Sequence, residues 1–183
     1  LRHNFFHPQW KTATIIPILK PNKNPTDPAS YRLISLLSSL SKLLEKLILS
    51  KIQKHIPINH SQHGFQHQHS TTTLLTNITQ EVIEGFNNRK PADRTLMATI
   101  DISKAFDTVP RHILIQKILN TNIPNNLKRW LANFLTGRSA HVKIEGKTSK
   151  TLHLHNGVPQ GSALSPILFN LFLHDLPPPN NTL

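Results

Sequence analysis

The sequence contains no cysteine, so a disulfide framework, a thiolate zinc site and a cysteine nucleophile are all excluded. No apolar run approaches the roughly 18 residues of a membrane span. Residues 1–20 also lack the charged start, apolar middle and small-residue cleavage site of a secretory signal. The chain is therefore expected to act inside the cell, with no membrane partner. Acidic residues are scarce as well: 9 Asp and Glu stand against 21 Lys and Arg, a formal net charge of +12 over 183 residues. The excess is not one basic tail, because Lys and Arg occur from Arg2 to Lys150. Such a surface attracts phosphates without regard to sequence, so nucleic acid is the expected partner class. No repeat or low-complexity tract is present, and 37% hydrophobic residues suffice for a folded core.

The apolar pattern alternates between strand and helix periods, which predicts one mixed α/β unit. Thr12 to Leu19 is β-rich but cut by Pro17, which an edge strand or a bulge tolerates. The three prolines and two asparagines between Lys20 and Pro28 predict an exposed basic loop. From Ser35 to His55 the residues Leu36, Leu37, Leu40, Leu43, Leu44, Leu47, Ile48 and Ile52 recur at three and four, the helical period. Pro57 ends that helix. A second helix is expected from Thr71 to Phe86, with Ser70 as its N-cap. Arg94 to Ile102 is almost wholly apolar after Thr95, as in a strand buried on both faces. Helices follow at Val109 to Leu119 and Asn125 to Leu135, the latter with Leu127, Trp130, Leu131 and Phe134 as a core stripe. A hairpin turns around Gly146-Lys147, and a last helix spans Ser162 to Leu176.

Three constellations could carry chemistry. Asp101-Ile102-Ser103-Lys104-Ala105-Phe106-Asp107 places a carboxylate at the end of the apolar run. A buried carboxylate needs a cationic partner, and Mg²⁺ takes one or two carboxylates together with substrate phosphates and water. The plainer reading is that Asp101, or Asp107 ahead of Pro110, caps a turn. Gly157-Val158-Pro159-Gln160-Gly161-Ser162 brackets Pro and Gln with two glycines just before a helix. Its backbone can approach a nucleotide or template base closely, or it can be an ordinary strand-to-helix turn capped by Ser162. Among the 12 histidines, His63, His67 and His69 are neighbours and His153 and His155 alternate, yet no zinc-ligand spacing joins them.

Taken in order, these segments resemble the reverse transcriptase domain of non-LTR retrotransposons, most closely the Jockey and LINE-like clades. The similar blocks are Trp10 through Pro21, Ser30-Tyr31-Arg32 through Ile48, Gln62-His63-Gly64-Phe65-Gln66 with His69-Ser70-Thr71, the Asp101-to-Asp107 block (motif A) and Gly157 to Pro166 (motif B). The resemblance implies an α+β right-hand polymerase, with helices packed on a small, mostly antiparallel sheet. Residues 1–93 would be a fingers-like region and 94–183 a partial palm. It implies an RNA-directed DNA polymerase acting in retrotransposition, in the nucleus, with an RNA template, a DNA primer and dNTP as partners. Asp101 would be catalytic and a metal ligand, assisted by the Ile102 carbonyl, in a two-Mg²⁺ site. Lys104, Ala105, Phe106, Gln160 and Gly161 would bind nucleotide, with Phe106 excluding a ribose 2′-hydroxyl. Lys20 and Arg32 would contact triphosphate or template.

The sequence departs from that pattern at Leu33, where the family usually has Pro, and at Gln66, where it has a basic residue. The family's Tyr-x-Asp-Asp motif would follow Leu183. One catalytic carboxylate of three is thus expected in the chain, which would leave the metal site incomplete and this truncated copy inactive by itself. Two other classes fit the residues less fully: a non-catalytic basic RNA-binding module and a group II intron maturase-like protein.

Overall fold

A computed structural model describes residues 5–57, 61–88 and 94–176. Contacts divide the chain into two compact units, residues 1–57 with 104–183, and residues 58–103.

The first unit holds a five-stranded sheet and the main core. β1 (Thr12–Leu19) pairs antiparallel with β2 (Tyr31–Leu36) and parallel with β3 (Arg138–Ile144). β3 pairs antiparallel with β4 (Lys147–Thr148) and β5 (Leu152–Leu154), so the sheet is mostly antiparallel, as expected. Pro17 is tolerated because β3 pairs no residue of β1 beyond Ile15, which leaves one edge open where the missing N–H falls. The hairpin between β3 and β4 turns on Glu145 and Gly146, both at positive φ, the geometry of a two-residue primed turn.

α1 (Ser39–Ile52) starts four residues later than the periodicity predicts, because Tyr31 to Leu36 are committed to the ladder with β1. Its buried face also differs. Ser41, Glu45, Ile48 and Ile52 point inward, while Leu40, Leu43 and Leu47 are exposed. The second stretch of this unit opens with α3 (Ala105–Thr108) and α4 (Arg111–Leu119). The helix expected from Val109 begins at Arg111 because Val109 precedes Pro110 and is extended. α5 (Asn125–Leu135) and α6 (Ser165–Leu173) both pack on α4. The α5 stripe of Leu127, Trp130, Leu131 and Phe134 is buried as its spacing predicts. Phe6 meets Trp130 and Phe134 edge-on at centroid distances of 5.5 and 5.3 Å, and Trp130 Nε1 donates to the Phe5 carbonyl. The N-terminal segment is thereby tied to α5.

The second unit contains α2 (Thr71–Asn87), and Ser70 is its N-cap: the Ser70 hydroxyl accepts from the Thr73 N–H while the Thr73 hydroxyl accepts from the Ser70 N–H. Arg94 to Ile102 corrects the expectation of a buried strand. The segment is irregular and exposed, with Leu96 and Ile100 at 84% and 92% exposure. A strand exists only through its ladder partners, and no strand is found among the described residues of this unit.

Removing the Phe134 ring leaves a cavity under Phe6 and Trp130, so Phe134→Ala should cost about 3–5 kcal/mol in chemical denaturation. Leu96→Ser, at an exposed site, should change stability by no more than about 0.5 kcal/mol.

Candidate nucleotide-binding site

Two backbone hydrogen bonds join motif A and the residues just after it to motif B. The Gly157 N–H donates to the Val109 carbonyl and the Val158 N–H to the Phe106 carbonyl, both at 2.8 Å. This approach requires glycine at 157: φ is +85°, and a Cβ there would lie 2.7 Å from the Asp107 carbonyl oxygen. On the far side of the loop the Ser35 N–H donates to the Gln160 carbonyl at 3.1 Å. Gly161, at φ +108°, sits where a Cβ would be 3.0 Å from the Ser35 carbonyl. The loop is thus wedged between α3 and β2.

Two buried charges hold it there. Glu45 is fully buried, and its carboxylate accepts from the Ser41 hydroxyl, the Ser162 hydroxyl and the Ala163 N–H at 2.8, 2.5 and 2.8 Å. Arg111 donates through Nε to the Gly157 carbonyl at 2.7 Å and through Nη1 to the Leu154 carbonyl. Ser162 also accepts from the Leu164 N–H, so the hydroxyl turns the chain ahead of α6, which begins at Ser165 rather than Ser162. Burial pushes the Arg111 pKa down.

The loop and the β1–β2 hairpin enclose a cavity of about 270 Å³. Lys20, Arg32, Lys104, Ala105, Phe106 and Gln160 all line it. Arg32 lies on β2 opposite Ile18, and Lys20 follows β1, with Nζ donating to the Ala29 carbonyl at 3.0 Å. The Lys20-to-Pro28 loop is exposed, as expected, and held by turns at Asn24 and Asp27. Lys104 adopts the left-handed conformation, φ +53°, and its carbonyl accepts from the Asp107 N–H. Phe106 is half-buried and stacks on Phe169 at 5.1 Å, one face to the core and the residue on the cavity wall. Asp107 lines the same cavity and caps no helix, since the N-cap of α4 is Pro110. Burial raises its pKa, with Lys104 acting in the opposite direction.

Seven of the nine residues singled out in the sequence therefore belong to the first unit, and six of them share this cavity. Asp101 and Ile102 are exposed and belong to the unit of residues 58–103. No group of three His, Asp or Glu side chains that could hold a metal is found among the described residues. His63 instead meets His69 edge-on and shares a hydrogen bond with Thr73, while His69 bonds the His67 carbonyl. No described helix is long and apolar enough to cross a membrane.

A sequence profile described as reverse transcriptase (RNA-dependent DNA polymerase) matches residues 18–182. The chain belongs to the reverse transcriptase family. It is 38% identical over 98% of its length to a probable RNA-directed DNA polymerase from transposon BS of Drosophila melanogaster. It is 38% identical over 94% to the RNA-directed DNA polymerase from mobile element jockey of the same fly, and 35% identical over 100% to a probable counterpart from transposon X-element. It spans about one fifth of the length of these relatives. The non-LTR resemblance and the α+β class stand on these matches together with the fold. Reverse transcriptases use divalent metal ions. Asp101 supplies one carboxylate of the kind Mg²⁺ accepts, but the described residues do not bring together the ligands of a two-ion site.

Sequence reasoning missed Glu45, Arg111 and Arg138, the buried charges around the loop. One signal was present: Glu45 lies at i+4 from Ser41 and i−3 from Ile48, on the face that α1 buries. Glu45→Gln keeps the shape of the side chain but sets an NH₂ group against donors. It should destabilise the fold by about 2–3 kcal/mol in denaturant unfolding, whereas Lys46→Gln on the exposed side should be nearly silent.

Proposed function

We propose that this chain is the nucleotide- and template-engaging part of an RNA-directed DNA polymerase of a retrotransposon, with residues 1–93 as a fingers-like region and 94–183 as a partial palm. The observation that carries the reading is the cavity shared by Lys20, Arg32, Lys104, Ala105, Phe106 and Gln160, residues drawn from three separate segments. Three cations there suit a triphosphate, a flat ring suits a sugar, and an amide side chain suits a base or template nucleotide. In this reading the N–H groups of Lys104 and Ala105 meet phosphate oxygens. Gln160 and Gly161 contact nucleotide and template, and Phe106, backed by Phe169, closes the space that a 2′-hydroxyl would need.

The reaction assigned to the whole protein is attack of a DNA primer 3′-hydroxyl on the α-phosphate of a dNTP, directed by an RNA template. Mg²⁺ bound at Asp101 and the Ile102 carbonyl would supply charge neutralisation at the reacting phosphate. The residues described here bind and orient the nucleotide, and the chemistry of transfer is not assigned to them alone.

Nucleotide binding to the 183-residue chain tests the reading. Lys20→Ala and Arg32→Ala should each weaken dNTP binding about tenfold, the loss of one charged contact to phosphate. Phe106→Ala should bring the Kd values for matched rNTP and dNTP together. Unchanged affinity in the lysine and arginine variants, or an unchanged sugar preference in a folded Phe106→Ala protein, would sink it.

Template affinity is a separate expectation from the +12 charge. Binding to single-stranded RNA should fall steeply on a log-log plot against salt, because each neutralised phosphate releases counterions. Lys20→Ala should shallow the slope by about one unit at most. A flat salt dependence would assign the basic surface to another partner.

A further inference from the structure

Behind the nucleotide cavity lies a second one of about 260 Å³, walled by β1, β2 and the loop from Leu154 to Gln160. Its lining includes two arginines, Arg111 and Arg138, which are 7% and 2% exposed. Arg138 lies over the Phe134 ring at 5.0 Å and donates through Nη1 to the Phe134 carbonyl at 3.1 Å. Its Nε and Nη2 groups have no acceptor among the described residues. Arg111 uses Nε and Nη1 on the loop carbonyls, and its Nη2 likewise has no acceptor among them.

Neither guanidinium has a carboxylate within ion-pair distance among the described residues, where the ion pair found is Lys117–Asp175. Asp107 lines the cavity without pairing with them. Both Glu45 oxygens are taken by Ser41, Ser162 and Ala163. Burial and the neighbouring Arg111 lower the Arg138 pKa to about 10, with Glu45 acting in the opposite direction, so Arg138 stays charged at neutral pH. Two buried like charges with donors to spare are costly unless an anion joins them. A guanidinium fork is suited to the paired oxygens of a phosphate. Lys104 and Asn156, both exposed, also line the cavity, so it is open to solvent on that side.

We propose that this cavity is an oxyanion site in which Arg138 and Arg111 together hold one phosphate group. The proposal does not depend on the nucleotide reading of the neighbouring cavity, although the two share Leu33, Lys104, Asp107 and Gln160 as a common wall. That wall leaves two sources for the same chemistry: free inorganic phosphate or pyrophosphate, and the phosphate tail of a nucleotide lying across Lys104.

The test uses the 183-residue chain, labelled with ¹⁵N, in a buffer free of phosphate and sulfate. Side-chain Nε resonances of the arginines are followed as inorganic phosphate, pyrophosphate or dATP is added. The expected result is a saturable shift of Arg138 and Arg111 with phosphate or pyrophosphate, while the exposed Arg129 moves little. Arg138→Met should weaken phosphate binding at least tenfold, and Arg138→Lys should restore part of it. Lys46→Gln, exposed on α1 and outside both cavities, should leave phosphate binding unchanged. A response to dATP alone, lost in Lys20→Ala, would assign the anion to a bound nucleotide. A phosphate response without any dATP response would keep this site and overturn the nucleotide reading instead. Should Arg138→Met fail to fold, the Nε titration of the unaltered chain still decides. Proportional, unsaturated movement of all arginines, or none, would overturn the proposal.

Discussion

A single buried carboxylate fixes the geometry on which both cavities depend. Glu45 projects from α1 into the interior, where an ionised group is tolerated only if its lone pairs are satisfied. Two of its three donors come from residues 162 and 163, so α1 and the turn ahead of α6 cannot separate without stranding a charge. Arg111 performs the converse task from the other end of the same loop, its buried cation satisfied by the carbonyls of Leu154 and Gly157. The loop is therefore anchored at both ends by charged groups of opposite sign, and the glycines are free to set its path between them.

That anchoring explains why a stretch with so little regular structure presents an ordered surface. Gly157 runs against Asp107 and Gly161 against Ser35, and in both places the next atom beyond the backbone would collide. Motif A and motif B are thus positioned by main-chain contact, while Phe106 is oriented by its stack on Phe169 from α6. The side chains of Lys20, Arg32 and Gln160 supply none of the bonds that hold this loop. Lys20, Arg32 and Gln160 can vary in conformation without disturbing the loop, as a ligand-binding set on a rigid support requires.

The parts of the fold that were legible in the sequence are those whose signals are local. Ser70 caps α2 through Thr73, three residues away, and the Glu145–Gly146 turn is closed by adjacent residues. The α5 stripe is also local, since Trp130 and Phe134 are one turn apart and no competing polar residue shares their face. Glu45 shares the helical spacing of Ser41, Ile48 and Ile52, but its partner Ser162 is 117 residues away and the leucines offer a competing apolar face. The leucines misled for the same reason: Leu40, Leu43 and Leu47 satisfy the helical period but lie exposed once Glu45 and Ser41 face the loop. The six candidate residues that line the cavity were singled out through the family resemblance of their segments, whereas Arg111 and Arg138 carry no local mark of burial.

The segment from Arg94 to Ile102 shows where pattern and structure part. An apolar run with few polar interruptions states a demand, that both faces be covered and every backbone N–H and C=O be paired. In the first unit the strand Thr12–Leu19 meets part of that demand, pairing with β2 from Thr14 onward and with β3 as far as Ile15. Residues 58–103 contain no strand among those described, so the same kind of sequence has no ladder to join and leaves Leu96, Met97 and Ile100 in solvent. Hydrophobicity alone does not make a strand. It does so only where a ladder partner exists, as it does for β1 through the backbone of β2 and β3.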